Sequence, residues 1–379
     1  MNTIGVLEDA NGQPDSMLNW TFGYFNTEID KQHDVPGPLV EVNLGDTVVI
    51  EFYNPSPEGH TIHLHGLDVD QRNDGVPSTS FFVLTGDTAS YEFIATKAGT
   101  FMYHCHVTTP LHFQMGMYGA LIVKNGNSTY NNYGKFNNEH LLFLSEFDRR
   151  YHAMDITGID LRDMRLDYIL VNGKTHGQIY RDSNEVLSLK PGDTCLLRVV
   201  NATYSINRLT IPNEINCKII GSDGRKIPAD IVTNTIDVYP GERYGLLLTT
   251  ANVIDSAAIE ICYLNMRTQK GTKTEYIPIN EYAFVAPPEK KNIEDNDTVK
   301  TDITSRIGIK PLLVYPNPTM RFIIIEDFEQ ETKFSILDLN GKCWLKGELG
   351  KSKRLDLGAL PDGIYILSTS HQNTLILKE

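Results

Sequence analysis

Six of the eleven histidines in this 379-residue chain fall in two short stretches: His60, His63 and His65, then His104, His106 and His112. Cys105 sits between two of them, and Met117 follows. The other five, His33, His140, His152, His176 and His371, are scattered. Side chains alternate faces along a strand. In Gly59-His60-Thr-Ile-His63-Leu-His65-Gly66, His63 and His65 therefore share a face and His60 takes the other. In Tyr103-His104-Cys105-His106 the two histidines share a face and Cys105 opposes them. One set is then His60 and Cys105, completed by His112 and Met117, which follow Pro110 and are free of strand parity. Two imidazoles, a thiolate and a thioether are the ligands of a blue-copper electron-transfer site.

The second set, His63, His65, His104 and His106, has four imidazoles and no sulfur. It suits copper that keeps open positions for oxygen or a small oxyanion, so these four are the candidate catalytic residues. Cys105 is joined by backbone to His104 and His106, a short covalent route between the sets. His112 is expected to be the ligand nearest solvent and so the entry point for electrons. Three other readings compete with this one. Histidines on apolar strands are often satisfied core residues. Zinc also takes His and Cys tetrahedrally, but would leave Met117 idle. Met115 could replace Met117 as axial ligand. Asp68, Asp70 and Asp74 follow the first stretch, and a carboxylate there could relay protons, although Asp74-Gly75 also reads as a turn.

Placing these groups requires strands. Val40–Leu44, Gly45-Asp46 and Thr47–Tyr53 form a strand, turn, strand unit that ends at Asn54. The same pattern returns at Val186–Leu189, Pro191-Gly-Asp193 and Thr194–Val200, ending at Asn201. Alternation, β-branched residues and Gly/Pro/Asp punctuation predict an all-β protein with two copies of one sandwich, over 1–127 and 128–290. The charged segment 291–313 reads as a linker. A small β unit fills 314–379, with expected strands at Phe322–Glu326, Lys333–Leu339 and Ile364–Leu367 and a hairpin turn at Asn340-Gly341.

Composition narrows the function further. With 48 acidic and 34 basic residues the net charge is −14, which argues against nucleic acid as a partner. No run of eighteen apolar residues occurs, so no membrane-spanning helix is expected. Five cysteines without a CxxC exclude a disulfide-stapled scaffold. Cys195, Cys217 and Cys262 read as buried small hydrophobes. The start, Met1-Asn-Thr-Ile-Gly-Val, has no basic tip and no apolar core, so no signal peptide is visible.

The chain resembles the multicopper oxidase family, built of cupredoxin Greek-key sandwiches. His60-Thr-Ile-His63-Leu-His65-Gly66 is similar to its HPxHxHG motif. His104-Cys105-His106, continuing to His112 and Gly116-Met117, is similar to its HCHxxxHxxxGM motif, with six residues instead of four between the cysteine and the next histidine. The resemblance implies type 1 copper on His60, Cys105, His112 and Met117. It implies type 2 and type 3 copper on His63, His65, His104 and His106, with type 2 on His63. Molecular oxygen and a phenol, metal ion or redox protein as electron donor follow from the same resemblance. A complete trinuclear cluster in this family takes four HxH pairs, and this chain has two. The second sandwich, through Val171–Lys174, Cys195–Asn201 and Ile219–Gly224, resembles a copper-free middle domain, where His140, His152 and His176 read as solvent-exposed and unliganded. A homo-oligomer or a partner chain would complete the cluster. The alternatives are a nitrite-reductase-like enzyme with a single type 2 copper, or a non-catalytic blue-copper protein. Val314–Pro318, Ile336–Lys342 and Leu355–Tyr365 resemble the type A sorting domain of the type IX secretion system. That resemblance implies export to the cell surface or beyond, and also a signal peptide, so the start is expected to be trimmed or misassigned.

Overall fold

The computed structural model describes residues 2–9, 12–24, 35–126, 129–130, 133–152, 164–254, 257–280, 313–315, 322–326, 333–338, 342–348, 354–361, 363–369 and 373–378. His33, His371, the Asn340-Gly341 turn and the expected linker, apart from Leu313, lie outside these residues. The chain divides into two compact units, Met1–Pro287 and Pro288–Glu379.

In the first unit, Val40–Asn43, Tyr118–Lys124, Gly99–His104 and His63–His65 form a four-stranded sheet in that order. Thr47–Tyr53 pairs with Thr88–Ile94 as a second, two-stranded sheet. Strict alternation turns Val48, Ile50 and Phe52 toward Leu64, Phe101, Tyr103, Leu121 and Val123, and the two layers bury one core. Cys105 and Met117 belong to that core.

The second sandwich is larger. Its six-stranded sheet runs Tyr168–Val171, Asn138–Phe147, Thr194–Ala202, Arg243–Thr249, Asn216–Ser222 and Arg225–Val232. The facing sheet runs Thr235–Val238, Ile206–Thr210, Ala257–Leu264 and Gly271–Ile279. Near-continuous aliphatic strands fill the core between them.

The repeat seen in the sequence is also a repeat of one turn. Asn54 Nδ2 donates to the carbonyls of Glu58 (2.7 Å) and Val83 (2.8 Å), and its Oδ1 accepts from the Ser56 amide at 3.0 Å. Asn201 Nδ2 donates to Ser205 (3.0 Å) and Val238 (2.7 Å), and its Oδ1 accepts from the Thr203 amide at 2.8 Å. The spacing that leads from Asn54 to His60 leads from Asn201 to Asn207, which is fully buried. The second sandwich thus has an amide where the first has an imidazole.

One element departs from the expected arrangement. Asn2–Glu8 and Pro14–Trp20 form a hairpin that pairs with neither sandwich sheet. Its Leu7 and Met17 wedge into a cluster with Met102, Tyr118 and Ala120 of the first sandwich and Phe143, Phe147, Leu170 and Val200 of the second. That cluster is the apolar contact between the two sandwiches.

The second unit has a three-stranded sheet (Leu313–Tyr315, Phe322–Glu326, Arg354–Asp356) and a four-stranded sheet (Cys343–Glu348, Lys333–Asp338, Gly363–Thr369, Asn373–Lys378). Its core holds Phe334, Ile336, Leu357, Tyr365, Leu367 and Ile376. Among the described residues, no helix is long and apolar enough to cross a membrane.

Candidate metal centre

His63–His65 pairs antiparallel with Gly99–His104, with His63 opposite His104 and His65 opposite Met102. This register sets the three histidines on one face of the sheet. His60 is not on that strand. It makes a lone bridge to Val83, its amide donating at 3.1 Å and its carbonyl accepting at 2.9 Å. Its opposite direction therefore comes from this bridge and not from strand parity.

Cys105 continues from Gly99–His104, its amide donating to the Met117 carbonyl at 3.0 Å, while the Met117 amide donates to His112 at 2.9 Å. His112 Nδ1 stands 3.0 Å from Cys105 Sγ, and His60 Nδ1 stands 3.5 Å from it. Ligand atoms of His60, Cys105 and His112 all lie within 4.8 Å of one another. Met117 is buried in the same core cluster as Cys105, and Met115 is buried two residues earlier. Burial drives the His60 pKa down to about 3 and that of His112 to about 4. Both rings are thus neutral, with lone pairs free for a metal. Burial also raises the Cys105 thiol, so a cation is needed to hold it as thiolate. Two neutral imidazoles, a sulfur awaiting a cation and a nearby thioether fit a soft, redox-active ion such as copper.

The expectation that His112 lies nearest solvent is corrected. It is 1% exposed. Trp20 from the N-terminal hairpin packs edge-on against its ring, centroids 5.3 Å apart. Its Nε2 is buried with no hydrogen-bond partner, and Glu58 Oε1 stands 3.8 Å away. The Glu58 side chain is 46% exposed. Neither Trp20 nor Glu58 was marked by any motif; each reaches the site through folding of segments outside the two histidine stretches.

His63, His65 and His104 form the second group, with ligand atoms within 4.8 Å and His65 Nδ1 3.2 Å from His104 Nε2. His106 stands beside them, its ring centroid 5.1 Å from that of His63 and 5.7 Å from that of His104. His104 Nδ1 donates to the Cys105 carbonyl at 2.9 Å, and His63 Nδ1 to the Asp74 carbonyl at 2.6 Å. Each bond fixes a tautomer and leaves Nε2 as the ligand atom. Burial, then the nearby Arg243 cation, lowers His65 to about 3. Arg243 comes from the second sandwich, is itself buried, and is held by Asp223 (3.0 Å) and the Gly241 carbonyl (2.6 Å). Gly66 turns at φ +88°, where any Cβ would fall on the Arg243 guanidinium.

The three aspartates separate. Asp68 is committed to Lys97 and Arg225, and hydrogen bonds from both hold its pKa at about 2. Asp70 caps the turn Gln71–Asn73. Asp74 Oδ1 lies 3.4 Å from His63 Nδ1, next to the second group. Of the scattered histidines, His152 is buried, burial lowers His140 to about 4, and His176 pairs with Glu275 at 2.8 Å. The expectation of solvent exposure thus fails for His152, buried at the end of the short helix Arg149–His152, and for His140, half-buried in the strand Asn138–Phe147. Among the described residues, neither joins a metal-ligand group. Cys195 and Cys217 are buried free thiols.

Residues 26–128 match a family model described as Multicopper oxidase, and residues 139–277 match a second model with the same description. Together these cover more than half of the chain. Residues 313–379 match the Secretion system C-terminal sorting domain. The chain is 30% identical to L-ascorbate oxidase of Cucumis sativus over 76% of its own length and 54% of that protein. It is 26% identical to Laccase-1 of Cryptococcus neoformans var. grubii over 57% of its length and 37% of that protein. It thus spans about half or less of these relatives. Among solved structures, blue copper oxidase from Nitrosomonas europaea aligns with a TM-score of 0.58 and 27% identity, over 73% of this chain and 83% of that one. Copper nitrite reductase from the same organism shares the fold, with a TM-score of 0.56 and 22% identity over 74% and 91%.

Proposed function

Because the chain belongs to the multicopper oxidase family and ends in a secretion sorting domain, we propose that it is an exported copper oxidoreductase. His60, Cys105, His112 and Met117 hold type 1 copper, and His63, His65, His104 and His106 hold type 2 and type 3 copper. The supporting observation is the direction of three consecutive side chains: Cys105 Sγ faces His60 and His112, while His104 and His106 turn to His63. Copper bound in the two sets supplies one-electron transfer and the reduction of dioxygen. Around it, each residue has a defined task. Cys105 and His104 share a peptide bond, so a covalent path joins the sets. Phe113 covers the His104 ring at 4.6 Å and keeps water from that side. Asp74 places a carboxylate at His63, where protons consumed in the reduction can be held.

The electron donor is a phenol, a metal ion or a small redox protein. Four of the eight imidazoles of a trinuclear cluster come from one chain, so a second copy or a partner chain brings the rest. A second reading has one observation in its favour: His63, His65 and His104 lie within 4.8 Å, and His106 is not in that group. Three imidazoles suit a single type 2 copper and nitrite as acceptor. Copper per chain, measured with oligomeric mass, separates the readings. An oxidase takes up oxygen with more than one copper per chain in an oligomer, and the second reading turns over nitrite. One copper in an inactive monomer would overturn both. Cys105→Ser must abolish an intense blue absorption band; a band left unchanged would rule out the type 1 assignment.

A further inference from the structure

His112 rides on a short helix, Thr109–Met115, whose start has no side-chain cap. Thr108 is left-handed at φ 42° and makes no side-chain capping bond. A threonine in that conformation is strained and persists only where its surroundings fix it. The fixing groups come from the second sandwich. Tyr204 OH donates to the Pro110 carbonyl at 2.6 Å. Gln114 is buried, its Nε2 donating to the Glu146 carbonyl at 3.2 Å and its Oε1 accepting from the Asp148 amide at 2.7 Å. Pro110 and Gln114 flank His112 by two residues on either side.

Tyr204 is anchored in turn. It lies in the repeated turn that starts at Asn201, and the buried Glu146 carboxylate accepts from the Tyr204 amide (2.8 Å) and the Ser205 hydroxyl (2.6 Å). In the first sandwich the same turn leads to His60; in the second it presents Tyr204 to the ligand loop of its neighbour.

We infer that the second sandwich sets the position of the His112 ring against Cys105 Sγ, with Tyr204 and Gln114 as positioning residues and Glu146 as the anchor of Tyr204. The inference rests on the reading of His60, Cys105 and His112 as one metal site. Groups that orient a ligand from outside contribute roughly 10- to 100-fold to metal affinity, and a ring displaced by about 0.5 Å leaves productive geometry.

The test uses the full chain loaded with copper and compares Tyr204→Phe, Gln114→Met and the double variant with wild type. Thr100→Val is the control; it removes the 3.0 Å bond from Arg198 across the same pair of sandwiches, away from the ligand loop. The readouts are the blue band, the midpoint potential and the rate of copper loss to a chelator in excess. Tyr204→Phe and Gln114→Met are expected to shift the band and to release copper about tenfold faster, less than additively in the double variant. Thr100→Val is expected to match wild type. Band, potential and release rate at wild-type values in both variants would overturn the inference. Amide hydrogen exchange of the copper-free wild-type chain gives an independent readout, even if a variant does not fold. Leu111–Met117 should be protected as well as Thr194–Ala202; fast exchange there would mean that metal alone orders the loop, and the inference would fall. A wild-type chain with no blue band would instead overturn the metal-site reading, and hydrogen exchange would still decide the positioning.

Discussion

At Gly66 the backbone turns through φ +88° with the Arg243 guanidinium in the space of the missing side chain. Gly66→Ala therefore meets both backbone strain and a buried cation that cannot retreat from Asp223. It should cost about 1–3 kcal/mol in urea unfolding. The nearby aspartates should behave in opposite ways. Asp68 is 44% exposed in its ion pairs, and such pairs contribute about 0–1 kcal/mol. Asp68→Asn should leave both turnover and stability nearly unchanged. Asp74 holds His63 Nδ1 through its main-chain carbonyl, so Asp74→Asn keeps that bond and loses only the carboxylate. Turnover should fall about 10²-fold, with copper content unchanged by metal analysis. Much of this site was legible in the sequence because alternation on a strand sorts neighbouring residues by parity. Cys105 against His104 and His106 is the clear case. His60 came out on the right side for a different reason, its bridge to Val83. Trp20, Glu58 and Arg243 could not be read at all. Their contacts with His112 and Gly66 join segments far apart in the chain, and no local period encodes them.

Among the elements, the two Asn turns show how far a repeat carries function. Asn54 ties Glu58 and Val83 together, and His60 is bridged to the same Val83. Asn54→Ala removes hydrogen bonds that are buried at Val83 and part-buried at Glu58 and Ser56, each contributing about 0.5–1.5 kcal/mol. It should lower the unfolding midpoint and weaken the blue band together, whereas Asn201→Ala reaches the band only through Tyr204. The strand Asn138–Phe147 supplies a pH signature. Burial lifts Glu146 from its ordinary 4.5 to about 7, while hydrogen bonds from Ser205 and Tyr204 pull the other way. Between these values the folded chain binds more protons than the unfolded one, so this group makes stability fall as pH rises from about 4.5 to about 7. The buried imidazoles act in the opposite sense, since their lowered pKa values make stability fall as pH drops below 6.5. The Glu146 contribution is thus the difference between wild-type and Glu146→Gln stability curves, and it should flatten above about pH 7. The strands themselves were readable from alternation and turn residues. The parallel pairing of Asn138–Ser145 with Cys195–Ala202 was not, because parallel neighbours are joined by long crossovers that leave no local signal.

The whole molecule separates into units with independent cores, Met1–Pro287 and Pro288–Glu379. A chain ended at Pro287 should keep the blue band and its unfolding midpoint while losing export, checked by absorbance and by fractionation of cells and medium. Within the first unit, the N-terminal hairpin joins distant parts of the chain. Asp15 binds Tyr168 and Arg149, Glu8 binds Arg181, and Trp20 lies on His112. These partners emerge from a ribosome or a translocation pore long after the hairpin itself. The hairpin must therefore wait for its full seat until residue 181 is in place, a slow long-range closure. Until then the imidazole of His112 lacks the Trp20 ring that packs edge-on against it in the folded chain.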